Sequence, residues 1–334
     1  MLMRKSDLIK FSKKLLEKND LKYKNLKIIN LKHGIVYVYS DKTIPDFVIK
    51  KTCNGTVLLD FLTLLRQKKL DAYFVKVIDV DEENHFYLMS FQEGVSLKKV
   101  YFLSLIFPWD ITETVRNFRF SANLLAEFHI KTLRGYQYIR DLIDLDELQP
   151  YFDEKSRLKD EFLKVYDSVK NVKIPICKIH NDNSLRNYII CNKSRMPLLL
   201  DLDACIHPDL FYFGPAVIDY LCFKTNMISY MKFSPLISKK TLKVCLESFE
   251  LTYRNQTNFY LCKNFDKICY IFFVLNYLGI QPFIENPLQI IYDRGVLAGR
   301  VRRIFDYWLY NPKELFNINF RVSLKLRNSF PLYG

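Results

Sequence analysis

No stretch of this chain runs to 18 apolar residues without a break. The greasiest, Ile268 to Ile280, contains Asn276 and runs into Gln281 and Pro282, so it reads as a buried helix; a membrane span takes roughly 20 residues. The opening Met-Leu-Met-Arg-Lys leads into an amphipathic pattern with Lys10, Lys13, Lys14 and Lys18, without the apolar stretch or cleavage site of a secretory signal. A cytoplasmic location with no transmembrane segment is therefore expected, and peripheral membrane contact stays open. The eight cysteines, at 53, 177, 191, 205, 222, 245, 262 and 269, include no Cys-x-x-Cys pair. That scatter suggests neither a zinc cluster nor a disulfide framework, and points to reduced core thiols. Internal repeats, low-complexity tracts and Pro/Gly/Ser-rich linkers are absent too.

Apolar and aromatic mass is plentiful: hydrophobic residues make up 49%, with 27 Phe and 22 Tyr, which argues for a globular chain. Its 334 residues exceed the usual single core, so two lobes are expected. The formal net charge of +14 suits an anionic partner, and a nucleotide alone would suffice. No zinc-finger, helix-turn-helix or RNA-recognition signature accompanies the charge, so nucleic acid is not an expected partner. The run Arg300, Arg302, Arg303, Phe305, Tyr307, Trp308 and Tyr310 reads as a helix with an aromatic core face and a solvated arginine face.

Ser6 to Lys18 carries apolar residues near helical spacing, and short extended runs follow at Leu26–Asn30, Ile35–Ser40 and Phe47–Lys51. A helical period returns over Val57–Leu65. Two more strand-like runs, Tyr73–Ile78 and His85–Phe91, flank an acidic turn at 79–83. After Gln92-Glu93-Gly94 the pattern is mainly helical, with candidates at Ile111–Leu133, Tyr151–Val169, Lys239–Arg254, Asn264–Tyr277 and Leu288–Leu309. The expected organisation is an N-lobe over 1–92 and a helical C-lobe over 93–334.

The residues that carry chemistry concentrate between Ile174 and Asp219. The string Ile179-His180-Asn181-Asp182 leads through a polar loop to Asn187 and the strand Tyr188–Ile190; after a turn, Pro197–Leu200 delivers Asp201-Leu202-Asp203. Asp182, Asn187 and Asp201 thus gather at one end of a short hairpin, where hard oxygen donors suit Mg²⁺ beside a phosphate chain. Phosphoryl transfer asks mostly for positioning and charge neutralisation, so this donor set fits it, provided a lysine meets the phosphates.

The pattern His180-x-Asp182-(four residues)-Asn187, followed by a strand ending in Asp201-x-Asp203, resembles the aminoglycoside and choline phosphotransferase family. Leu125-Ala126-Glu127-Phe128-His129 is similar to that family's Leu-Ala-x-Leu-His helix end, and Gly214-Pro215-Ala216-Val217-Ile218-Asp219 to its Asp-Pro-Ala-x-x-Asp stretch. Phe47-Val48-Ile49-Lys50 resembles the strand presenting the phosphate-binding lysine, and 87–94 the hinge of the adenine pocket. The resemblance spans roughly residues 25 to 310 and is specific at the catalytic loop. It implies an α+β, two-lobed protein-kinase-like fold, with a small antiparallel-sheet N-lobe and a larger helical C-lobe.

The resemblance also implies roles. Asp182 is the catalytic residue, Asn187 and Asp201 are Mg²⁺ ligands, and Lys50, Asp60, Met89 and Phe91 bind nucleotide. His180, Asp203 and Asp219 support the site, with Asp219 bracing the loop. His129 is read as a helix-end packing or hydrogen-bonding residue, and His207, beside Pro208 and Asp209, as part of a turn or rim. Three departures stand out: only Gly34 precedes Lys50 where many nucleotide loops are glycine-rich, Asp60 replaces the usual Glu, and Gly214 stands where the family's Asp-Pro-Ala begins, so one customary acid is missing. The implied activity is transfer of phosphate from ATP, with GTP as the other candidate, to a hydroxyl of choline or ethanolamine, a sugar, an amino alcohol or an aminoglycoside. The alternative is a catalytically silent relative that binds nucleotide or a protein partner.

Overall fold

The computed structural model describes residues 4–277, apart from positions 32 and 41 and segments 109–110, 153–155, 206–212, 231–235 and 258–263. The expected Leu288–Leu309 helix, the Arg300–Tyr310 run, and the His207 to Asp209 turn lie outside the described residues. The chain divides into two compact units: Met1–Leu97 with Arg186–Tyr212, and Lys98–Leu185 with Phe213–Gly334.

The first unit opens with helix α1 (Lys5–Lys18), whose Leu8, Leu15 and Leu16 recur at helical spacing and are buried. They pack on one face of a five-stranded antiparallel sheet built from β1 (Asn25–Asn30), β2 (Ile35–Tyr39), β3 (Phe47–Lys51), β4 (Val77–Asp81) and β5 (Phe86–Ser90), in the order β1-β2-β3-β5-β4. Val36, Val38, Ile49, Phe86 and Leu88 complete that core, each large side chain contributing about 2 kcal/mol on burial. Register fixes the opposite face. Val36 faces Ile49, which faces Leu88; one residue along, Tyr37 faces Val48, which faces Met89, and Lys50 faces Tyr87. Side chains alternate along a strand, so Tyr37, Val48, Lys50 and Met89 share the face away from α1.

Between β3 and β4 lies α2 (Gly55–Gln67), capped by Asn54, whose side chain accepts the Val57 N–H at 3.1 Å. It ends where Lys69 turns left-handed (φ 55°) and the Leu70 N–H returns to the Leu65 carbonyl at 2.8 Å. The strand expected over Tyr73–Ile78 is displaced: Asp71–Tyr73 is a 3-10 turn, and β4 includes Asp79 and Asp81 of the expected acidic turn. Asp79 tolerates a strand position because Lys18 (2.9 Å) and Asn19 (2.8 Å) at the end of α1 hold its carboxylate. A second small sheet, in the order β10-β9-β6, joins β6 (Gly94–Ser96), β9 (Tyr188–Cys191) and β10 (Pro197–Leu199). The Val75 N–H also bonds the Leu199 carbonyl at 3.2 Å, which ties the β9–β10 hairpin to the N-terminal part of the chain.

The second unit is mainly helical, with α3 (Leu97–Ile106), α4 (Thr112–Lys131), α5 (Leu145–Phe152), α6 (Ser156–Val169), α7 (Val217–Ile228), α8 (Lys239–Thr257) and α9 (Phe265–Tyr277). A three-stranded sheet, β11-β8-β7, joins β7 (Gly135–Tyr138), β8 (Lys173–Lys178) and β11 (Phe213–Pro215). Helices α7 and α8 are joined by stacked Phe223 and Phe249 rings, centroids 4.0 Å apart, and by Glu250, which accepts from buried Lys224 at 2.5 Å and from the Tyr220 hydroxyl at 2.8 Å. Among the described residues no helix is long and apolar enough to cross a membrane. Of the described cysteines, Cys53 is exposed and the other six are buried, all as free thiols.

Candidate functional site

The site residues fall into the two units, each with its own geometry. In the first, Lys50 leaves β3 on the sheet face away from α1 and forms a close ion pair with Asp201, 151 positions later in the chain. The lysine side chain is 15% exposed and the carboxylate 33%, so neither is freely solvated. Lys51 points the other way and is exposed. Asp201 follows β10 with a left-handed backbone, φ 59°. Tyr188 and Leu199 are opposite in the hairpin, and the Leu200 N–H bonds the Asn187 carbonyl at 2.7 Å, so Asn187 and Asp201 lie at the same end of it.

Asp60 is not brought to Lys50. It lies on the exposed side of α2, and its side chain makes no ion pair or hydrogen bond among the described residues; Asp201 is a carboxylate that meets the lysine. Met89 is half-buried on the Lys50 face. Phe91 is half-buried beyond β5, its N–H already given to the Asp46 carbonyl (3.0 Å) and its ring edge-on to Tyr37 at 5.6 Å. Tyr37 was missed in sequence, though the period-2 pattern of β2 puts it beside Val48 and Met89. Asp203 lies in the 3-10 turn Leu202–Cys205. Gly34 sits at the β1–β2 turn with φ 58°, where a Cβ would meet Lys51 Cβ at 2.7 Å; this single glycine lets the turn lie against β3.

In the second unit, β8 runs through Ile179 into the loop that carries Asp182. The loop's backbone is gripped by fully buried Asp219 in the first turn of α7: Oδ2 accepts the His180 N–H at 2.6 Å and Oδ1 the Asn181 N–H at 2.8 Å. Asn181 holds a left-handed φ of 72° there, which asparagine tolerates better than most residues. The Asn183 amide donates to the Asp219 carbonyl at 3.0 Å, and the Leu185 N–H reaches Asn226 Oδ1 at 3.4 Å. Asn226 lies seven residues after Asp219, two turns along the same helix face, a spacing visible in the sequence. His180, Asn183 and Ser184 are buried while Asp182 is half-exposed, so the loop presents Asp182 to solvent. Burial and the Asp219 charge push the Cys177 thiol on β8 well above its usual range, keeping it protonated.

Asp219 Oδ2 also meets His129 Nε2 at 3.1 Å, and His129 Nδ1 lies 2.7 Å from the Tyr253 hydroxyl. His129 is thus a hydrogen-bonding residue in a helix end, as its sequence context suggests, whereas Tyr253 carries no sequence signal.

Three solved structures share this architecture: amicoumacin kinase hAmiN in complex with AMP-PNP, Ca²⁺ and Ami (12% identity, TM-score 0.53, 96% of this chain and 100% of that one); choline kinase LicA in complex with AMP, the Streptococcus pneumoniae protein (11%, 0.53, 91% and 98%); and glucosamine kinase in complex with glucosamine, ADP and inorganic phosphate (13%, 0.51, 91% and 83%). The fold is that of the kinase-like phosphotransferases. No protein-family model and no curated protein sequence matches the chain. On the kinase-like fold, the five-stranded sheet presents Lys50 to the acid that follows β10, and the helical unit braces a half-exposed aspartate on a pinned loop.

Proposed function

We propose that this chain is an ATP-dependent phosphotransferase acting on a hydroxyl of a small metabolite. The observation that carries the reading is the Lys50–Asp201 ion pair, because it brings a strand lysine to an acid that shares a hairpin end with Asn187. The three solved structures, bound to AMP-PNP and Ca²⁺, AMP or ADP, support a nucleotide and a divalent ion as cofactors.

Asn187 and Asp201 are hard oxygen donors that would suit Mg²⁺. When bound there, the ion would supply positive charge to neutralise the charge developing on the transferred phosphate. Lys50, relieved of part of its pairing with Asp201, holds the α- and β-phosphates. Asp182 orients the acceptor hydroxyl and takes its proton as the hydroxyl oxygen bonds to the γ-phosphorus and the bond to the β-phosphate oxygen breaks. In this reading residues 1–92 serve the nucleotide and 93–334 carry the catalytic loop, the metal-holding Asn187 and Asp201 and the acceptor pocket, with Met89 and Tyr37 beside the base and His180 and Asp219 supporting the loop. Choline or ethanolamine, sugars, amino alcohols and aminoglycosides are the candidate acceptors.

The test is Mg²⁺-dependent release of ADP or GDP across a pooled panel of those acceptors, beside Asp182→Asn. Acceptor-stimulated release that the substitution reduces by at least about a hundredfold supports the reading. Nucleotide binding without release from any acceptor would favour a silent relative, and release unaffected by Asp182→Asn would remove Asp182 from the mechanism.

A further inference from the structure

The pair His129 and Tyr253 is not accounted for by the roles above. Both side chains are fully buried, as is Asp219, so water does not compete for their hydrogen bonds. An aspartate carboxylate only accepts, and Asp219 Oδ2 already takes the His180 N–H; His129 Nε2, at 3.1 Å from the same oxygen, must therefore carry a hydrogen. A neutral ring then turns the Nδ1 lone pair to the Tyr253 hydroxyl at 2.7 Å, and that hydroxyl donates. The other neutral tautomer would aim a lone pair at the carboxylate in a buried place. Tyr253 supplies the donor that removes this alternative, and its ring meets the imidazole edge-on at 5.8 Å.

We infer that Tyr253, on α8, is a positioning residue for the Asp182 loop: it holds the His129 proton on Nε2, which gives Asp219 a third donor and fixes the carboxylate that pins His180 and Asn181. Only the kinetic consequence of this inference rests on the phosphotransferase reading. Tyr253→Phe keeps the ring and removes the hydroxyl. Ser248→Ala is the control, because it removes another bond between the same helices, from Arg119 Nε at 2.9 Å, without touching Asp219.

Three readouts apply to the full chain: the His129 ring tautomer by ¹⁵N NMR, hydrogen exchange of the His180 and Asn181 amides, and kcat against KM for nucleotide. The expected wild-type ring is a single Nε2–H tautomer. In Tyr253→Phe that single state is lost, the two amides exchange about tenfold faster, and kcat falls about tenfold with nucleotide KM unchanged. Ser248→Ala leaves all three as in the wild type. An Nδ1–H ring in the wild type, or tautomer and exchange unchanged in Tyr253→Phe, overturns the inference. Faster loop exchange with no acceptor phosphorylated by either protein would leave the positioning role standing and sink the phosphotransferase reading.

Discussion

Asp219 is the residue whose removal the structure prices most directly. Asp219→Ala leaves the His180 and Asn181 N–H groups without acceptors, and the His129 Nε2–H loses its partner as well. An unsatisfied buried donor costs about 1–3 kcal/mol and the half-exposed Asn181 N–H costs less than the buried His180 one, so the two backbone groups alone cost about 3 kcal/mol. Against a domain stability of roughly 5–15 kcal/mol this is severe, and it corresponds to a loss of about 10 °C in Tm. Asp219→Asn keeps one acceptor oxygen but turns an NH₂ toward donors, so it recovers no more than about half of the loss. Urea titration followed by far-UV circular dichroism measures the global cost. Hydrogen exchange over 179–185 measures the local one, and there the two amides exchange fastest in Asp219→Ala. A loss below about 1 kcal/mol with unchanged exchange would refute the bracing argument, since it would mean that water or another group satisfies those donors.

Two further outcomes follow from packing and titration. Burial pushes the Cys245 thiol from its usual 9.0 up to about 12, so the folded chain favours the neutral form; that stability is intact below pH 9 and is lost as pH rises from 9 toward 12, at up to about 1.4 kcal/mol per pH unit. Cys245→Ala flattens this alkaline limb, as read from urea midpoints between pH 8 and 11, and an identical slope in both proteins would count against a buried thiol there. Gly94→Ala places a Cβ 2.2 Å from the Ile190 carbonyl oxygen, with no flexible side chain to yield. It costs about 2 kcal/mol or more in a thermal melt by separating β6 from β9, and a neutral substitution would show that this pairing is loose.

The strands were legible where alternation was the whole signal. Phe47–Lys51 appears with the expected bounds, and one residue of phase decides that Lys50, and not Lys51, reaches Asp201. Asp60 went astray for a reason also written in the sequence: Leu58, Phe61, Leu62 and Leu65 form the buried stripe of α2, and a residue two positions after Leu58 lies about 200° round the helix. Helical phase outweighs the pattern-based expectation there. The displaced β4 is a different failure, because its aspartates look like a turn until Lys18 and Asn19, some 60 residues earlier, supply partners. His129 and Tyr253 are 124 positions apart and share no local pattern, so their contact exists only in the folded chain.

The same limit explains why the loop carrying Asp182 could be recognised as a string but not as a conformation. Asn181 and Asp201 both adopt left-handed backbone, a state that costs a non-glycine residue about 1–3 kcal/mol and that no contiguous motif announces. Each is held by a partner remote in sequence, the Asn181 N–H by Asp219 and the Asp201 carboxylate by Lys50. Local strain at the two ends of this segment is thus offset by long-range bonds to buried or half-buried charges. Asp219 holds its turn from full burial, away from the exposed side of the loop, and this makes it a sharper test of the loop's conformation than the exposed residues around Asp182.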